Sequence, residues 1–182
     1  MEELEYRKDM DGVEYLRRSL AASQGDITLV TIGPLTNVGV LLCKHPEVKG
    51  KIKEIVMMGG AYYMHYNEWN ILCDPEAAHI VYSSGVPIRA IGLDVTTRCQ
   101  VNDQLVTMFR NSKKPEVELL ADLLTCYYEN RGRHTFLHDP MAVFAVYDKD
   151  IITYQGEDIH VELHGQDTRG TTFNTWKIGV AS

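Results

Sequence analysis

From residue 26 onward, short apolar runs alternate with stretches of helical period, and this alternation constrains the fold more than any other feature of the chain. "DITLVTIG" is a β-rich run that stops at Gly33 and Pro34. In "LTNVGVLLCKHPEV" the apolar residues Leu35, Val38, Leu41 and Leu42 fall at helical spacing. "IKEIVMMGG" reads as a second buried strand, closed by Gly59 and Gly60. In "DPEAAHIVYSSG", Asp74 is an N-cap, Pro75 sits at the first helical position and Gly85 stops the helix. "VPIRAIGLD" supplies a third strand. Strand, helix, strand, helix, strand in this order predicts an α/β fold, a mostly parallel sheet flanked by helices with right-handed crossovers. Residues 102–111 and 115–130 then predict two helices broken near Pro115, and 138–148 another. "DIHVELHG" and "TTFNTWKIGVAS" predict strands of a hairpin or sheet edge.

In such a sheet, ligands collect at the carboxyl ends of the strands. That rim gathers Thr31 to Pro34, Met58 to Asn70, Asp94 to Arg98, and the turn before Asp139. Charge narrows what can bind there. With a formal net charge of -7 and only the short basic pairs Arg17-Arg18 and Lys113-Lys114, the chain lacks the clustered cations that nucleic acid or an anionic membrane would need. Nor does any run approach the roughly 18 apolar residues of a membrane span. "MEELEYRKDMDG" is too charged for a secretory signal, and a cytoplasmic location is expected. Cys43, Cys73, Cys99 and Cys126 form no C-x-x-C pair, so they are expected to be reduced, mostly buried thiols.

The rim segments carry chemistry-bearing residues of particular kinds. "NEWNILCDPEAAHIV" sets Glu68 and Asn70 either side of Trp69. In an extended segment the two polar side chains point the same way with the indole behind them, an arrangement that suits a diol such as ribose. A loop packed down by its tryptophan is the alternative. At "HDP", Asp139 and Pro140 are a helix-start signal, with Asp139 as N-cap. A carboxylate on this rim is also a hard ligand for calcium, and the adjacent His138 can donate a proton near neutral pH. Both readings can hold together. Asp74 is assigned to its helix cap and His79 to the core or an interface, while His45, His65, His160 and His164 have no partner at metal-ligand spacing. No G-x-S-x-G elbow, phosphate loop or dinucleotide fingerprint is present, which argues against acyl hydrolysis at an elbow, P-loop phosphoryl transfer and nicotinamide redox chemistry.

Taken together and in order, "LVTIGPLTN", "VMMGGAYY", "EWNILCDPEAA", "GLDVT" and "HDPMAV" resemble the inosine-uridine preferring nucleoside hydrolase family, from about Asp26 to at least Phe173. The resemblance implies a Rossmann-like nucleoside hydrolase fold and hydrolysis of the N-glycosidic bond of ribonucleosides with one bound Ca²⁺. It implies that Asp139 is a calcium ligand, that the Ile32 backbone carbonyl is another, and that His138 protonates or orients the departing base. Met58, Glu68 and Asn70 would hold ribose. A small-molecule nucleoside substrate and a homodimer or homotetramer are implied as well. Tyr127, Tyr128, Arg131 and His134 are candidates for base contact, with helix packing an equal account of the tyrosines.

Two departures from the family stand out. Its acidic D-x-D-x-G-x-D-D signature, the source of most calcium ligands and of the water-activating carboxylate, has no counterpart here, whereas Ca²⁺ takes about 6–8 oxygens. One domain over 1–182, shortened at both ends, is therefore expected, as is an inactive chain when taken alone. The loop "AYYMHY" is also short and offers no counterpart of a sugar-binding asparagine; Asn67 lies near but does not align. The competing expectation is a catalytically incomplete nucleoside-binding or interaction module.

Overall fold

The computed structural model describes residues 8–131 and 135–174. Its elements are α1 (Gly12–Ala22), β1 (Ile27–Thr31), α2 (Thr36–Lys44), β2 (Ile52–Met58), α3 (Trp69–Cys73), α4 (Pro75–Tyr82), β3 (Ile88–Ile91), α5 (Leu93–Thr96) and β4 (Gln100–Val101). They continue with α6 (Asp103–Arg110), α7 (Pro115–Arg131), β5 (Thr135–Phe136), α8 (His138–Tyr147), β6 (Ile159–Val161) and β7 (Thr172–Asn174).

β1, β2 and β3 form a parallel sheet in that order, as the alternation predicts. Its residues must be apolar on both faces because helices cover both. On one face Leu29, Ile55 and Met57 pack with Leu20 of α1, Val38 and Leu41 of α2, and Ala78 and Val81 of α4. The helix α2 approaches α4 closely at Gly39, where a Cβ would lie 2.8 Å from that of Ala77. On the opposite face Val56, Met58 and Ile91 pack against Ala142 and Ala145 of α8. Glu54 and Arg89 pair at 2.8 Å between β2 and β3, and Arg89 Nη1 donates to the Ala145 carbonyl at 2.8 Å, so one guanidinium ties α8 to the sheet.

Two smaller antiparallel pairs complete the described chain. β4 pairs with β5 beside a separate apolar cluster of Val101, Val106 and Ala121, and β6 pairs with β7. No helix among the described residues is long and apolar enough to cross a membrane. The thiols differ from expectation: Cys43, Cys73 and Cys126 are exposed and Cys99 is half-buried, all four free. His79 is likewise on the surface rather than in the core, because α4 turns its Ala77, Ala78 and Val81 stripe inward.

Candidate active site

The register of the sheet places the rim residues. Thr31 pairs with Met57 and Met58 with Ile91, so Ile32, the residue just past β1, lies level with Met58 and Ile91, which end β2 and β3. Ile32 is 48% exposed there, and Met58 is buried. Beyond Met58 the chain turns through Gly59 and Gly60. Gly60 has φ +86, and a Cβ on it would lie 2.5 Å from the Tyr62 hydroxyl, so conformation and space both require glycine. The ends of β2 and β3 stay coupled past the strands: Gly59 N–H donates to the Ile91 carbonyl at 3.2 Å, and Leu93 N–H to the Gly60 carbonyl at 2.9 Å. Asp94 accepts the amides of Tyr62 and Tyr63 at 2.8 and 3.0 Å. Tyr62 Oη donates to the Gly59 carbonyl at 2.8 Å and meets Tyr82 Oη at 2.6 Å; burial raises both phenol pKa values.

Glu68 is 4% exposed and Asn70 is 9% exposed, but the segment is not extended as expected. Glu68 is the N-cap of α3. Its carboxylate accepts Gly60 N–H at 3.1 Å, Asn70 N–H at 2.9 Å and Ile71 N–H at 3.1 Å. Asn70 Nδ2 donates to the Met58 carbonyl at 3.1 Å, joining the three predicted sugar-binding residues in one network. Trp69 is 71% exposed, on the opposite side from its neighbours, so the indole does not back them. The helical turn that points Glu68 and Asn70 toward the sheet turns the residue between them to solvent. Asn67 binds protein instead: its Oδ1 accepts the Thr171 hydroxyl at 2.5 Å, and its Nδ2 donates to the Arg169 carbonyl at 3.3 Å. Asp74 caps α4 through Ala77 N–H at 3.0 Å and also accepts the Thr36 hydroxyl at 2.5 Å, as its structural assignment predicts.

Where the third and fourth rim segments meet, His138 Nδ1 lies 2.8 Å from the hydroxyl of Thr96, a fully buried residue at the end of α5. The Phe136 ring is 5.7 Å from the imidazole, tilted. His138 Nε2 has no partner among the described residues. Asp139 is not an N-cap: α8 begins at His138, Leu137 precedes it without a side-chain cap, and Asp139 lies in the first turn. Pro140 is therefore the third residue of the helix, two positions later than predicted. The Asp139 carboxylate has no hydrogen-bond or ion-pair partner among the described residues. Nearby in sequence, the hydroxyl of Thr135 is buried without a partner among the described residues, as is that of Thr31 beside Ile32.

Tyr127 is exposed, and Tyr128 donates its hydroxyl to the Val101 carbonyl at 2.9 Å, a packing role. His134 and the Arg131 side chain lie outside the described residues. Sequence reasoning did not single out Thr96, Asp94, Thr171 or Thr172. Only Asp94 carried a signal, as an acid at the end of a predicted strand.

The arrangement offers hydrogen-bond acceptors at one end and an imidazole at the other. After its main-chain bonds, Glu68 Oε1 keeps a second lone pair, and Asn70 Oδ1 has no partner among the described residues; both suit sugar hydroxyls. A calcium ion is a different matter. Among the described residues no group of three or more His, Cys, Asp or Glu side chains could hold a metal. One carboxylate and one carbonyl fall well short of about 6–8 oxygens, so these residues alone do not fit the ion.

Residues 2–180 match the inosine-uridine preferring nucleoside hydrolase family. The chain belongs to that family. It is 37% identical over 173 residues to the pyrimidine-specific ribonucleoside hydrolase RihA of Shewanella woodyi, covering 90% of this chain and 55% of the relative. The RihA of Salmonella typhi is 36% identical over 170 residues. Among solved structures, a purine-preferring ribonucleoside hydrolase from Gardnerella vaginalis superposes with a TM-score of 0.84 at 32% identity, covering 94% of this chain and 57% of that one. A plant nucleoside hydrolase gives 0.86 at 26% identity, covering 95% and 57%. The chain thus spans about half the length of the relatives it matches.

Proposed function

We propose that this chain forms the ribose-gripping and leaving-group portion of a ribonucleoside hydrolase. The observation that carries the reading is the linked trio of Met58, Glu68 and Asn70, fixed on the same sheet rim as His138. In the reaction, the bond between ribose C1′ and the base nitrogen breaks, water adds its oxygen to C1′, and a proton reaches the departing base. Glu68 and Asn70 would accept from ribose hydroxyls and hold the sugar while positive charge builds at C1′. His138, oriented through Nδ1 by Thr96, would present Nε2 to the base and supply or steer that proton. The proposal covers ribonucleosides as a class, since relatives named for pyrimidine specificity and for purine preference both match.

Calcium enters this reading as an ion whose oxygens come mostly from outside the described residues, with Asp139 and the Ile32 carbonyl as this chain's share. Exposed apolar residues support a missing neighbour. Among the described residues β1 pairs with β2 alone, and Val30 and Ile32 at its edge, like Val143 and Phe144 on α8, lie open to water. A homodimer or homotetramer, on the family resemblance, and a cytoplasmic location, on the charged opening segment, complete the proposal. A second reading, a nucleoside-binding module without catalysis, is favoured by the lack of a three-ligand group among the described residues.

One assay separates these readings: release of ribose from inosine and uridine, with calcium and with chelator, by the 182-residue chain and by the longest polypeptide its gene encodes. The expected result is calcium-dependent release by the longer polypeptide and none by the 182-residue chain. No release by either leaves the binding module. Calcium-dependent release by the shorter chain would overturn the account of a shared metal site.

A further inference from the structure

The loop from Ala61 to Asn67 joins the Gly59-Gly60 turn to the Glu68 cap, and both of its ends are held by neighbouring residues far along the chain. At Ala61, the Thr172 hydroxyl accepts the main-chain N–H at 2.9 Å and donates to the carbonyl at 3.2 Å. Thr172 is 4% exposed, so this one side chain satisfies both main-chain groups of Ala61 away from water, as a strand partner would. At the other end, the Thr171 hydroxyl donates to Asn67 Oδ1, and the Arg169 carbonyl accepts from Asn67 Nδ2. The hairpin carrying these threonines is itself anchored: Arg169 pairs with Glu76 of α4 at 2.5 Å, and β6 pairs with β7.

We propose that Thr171 and Thr172 are positioning residues for Glu68, holding both ends of the loop that leads into it from adjacent residues at the start of β7. This rests on the reading of Glu68 as a sugar ligand. The mechanical argument is local. The residue after Asn67 is Glu68, and the residue before Ala61 is Gly60, whose N–H is one of the three that the Glu68 carboxylate accepts. A loop pinned at both Ala61 and Asn67 therefore fixes the cap and its partner together. Tyr63 to Tyr66 between the pins remain largely exposed, so the device fixes the neck of the loop rather than its tip.

Thr172→Val keeps the shape and strand preference of the side chain and removes its hydroxyl, whereas Thr172→Ser keeps the hydroxyl. In the 182-residue chain, amide hydrogen exchange read by NMR below the unfolding transition reports the pins without requiring catalysis. Thr172→Val should speed exchange at Gly60, Asn70 and Ile71 by about tenfold, the equivalent of one buried hydrogen bond, leave α6 unchanged, and be reversed by Thr172→Ser. Unchanged exchange at those three amides, or uniform acceleration that includes α6, would overturn the proposal. In the hydrolysing polypeptide, Thr172→Val should raise KM for nucleoside about tenfold with kcat within about threefold, and Thr172→Ser should restore KM. An unchanged KM despite faster exchange would also overturn it. Lack of hydrolysis by the unsubstituted polypeptide removes the functional reading, while the exchange result still decides whether the threonines position Glu68.

Discussion

On the β2 side of the rim, Glu68 engages three main-chain amides with its two oxygens, and Asn70 is bound to Met58. On the α8 side, His138 touches one hydroxyl, and Asp139 touches no polar group among the described residues. Both corners sit at the ends of the same sheet, yet one is finished from within this chain and the other is not. The difference teaches that local main-chain bonds complete one corner, while the other keeps a carboxylate without a polar partner among the described residues. Under the proposed function, a group that grips a neutral sugar needs a fixed direction, which local main-chain bonds supply, and a carboxylate that meets a cation needs further oxygen ligands beside it, which the described residues do not gather.

The largest effect should come from disturbing the finished corner. Glu68→Ala leaves Gly60, Asn70 and Ile71 N–H groups without their acceptor in a buried position, and the loss of these charge-assisted bonds and of the cap should destabilise the chain by about 3 kcal/mol. Urea unfolding at neutral pH measures this directly. A loss below about 0.5 kcal/mol would erase the contrast between the two corners, because that is the ordinary size of a surface substitution.

Next in size is the link that holds α8, and with it His138, against the sheet. Arg89 beside Glu54 holds that carboxyl below its usual value of 4.5, with burial opposing and Thr28 adding a weak bond. Both side chains are about five-sixths buried. Arg89→Met should destabilise by about 2–3 kcal/mol, since it strands a buried carboxylate and frees the Ala145 carbonyl. The sign of the pH dependence follows from the depressed carboxyl. Its contribution is fully present above the unfolded value and fades as pH falls through the lower folded value. The gap between the native chain and Arg89→Met, followed by urea unfolding from pH 7 to pH 3, should therefore shrink toward acid. A gap that widens would contradict the assignment of the stabilisation to this pair.

The legibility of the two corners in sequence differs as their construction does. Strand, helix and cap signals are local, so the parallel sheet, the Asp74 cap and the rim that collects Met58, Glu68, Asn70, His138 and Asp139 could be read directly. The direction of Trp69 could not. Alternation says that neighbours point to opposite sides but not which side is inward, and that choice was made by the Glu68 carboxylate reaching back to Gly60, eight residues away. Glutamate is also an unusual N-cap, which hid the start of α3. Thr96, though inside the rim segment Asp94 to Arg98, and Thr172 were given no role for a different reason. Their partners lie 42 and 111 residues away, and a buried threonine looks in sequence like any other β-branched residue.

The smallest effect on folding should come from the unfinished corner, and it is the sharpest test of the comparison. Asp139→Asn removes a charge that no described residue answers and preserves the shape of the side chain. Because no bond is broken and Asp139 is half-buried in the first turn of α8, only a weak attraction to the helix N-terminus is lost. Stability should fall by no more than about 0.5 kcal/mol in the same urea experiment. If the carboxylate is instead part of a metal cage completed outside the described residues, the same substitution should abolish calcium-induced stabilisation in the longest polypeptide of the gene, since ligand binding to the native state raises its stability by mass action. Calorimetric scans with and without calcium read that effect. A large loss of stability in the 182-residue chain itself would show that Asp139 has a structural partner and that the two corners are alike. Retention of calcium stabilisation by Asp139→Asn would remove Asp139 from the proposed ligand set.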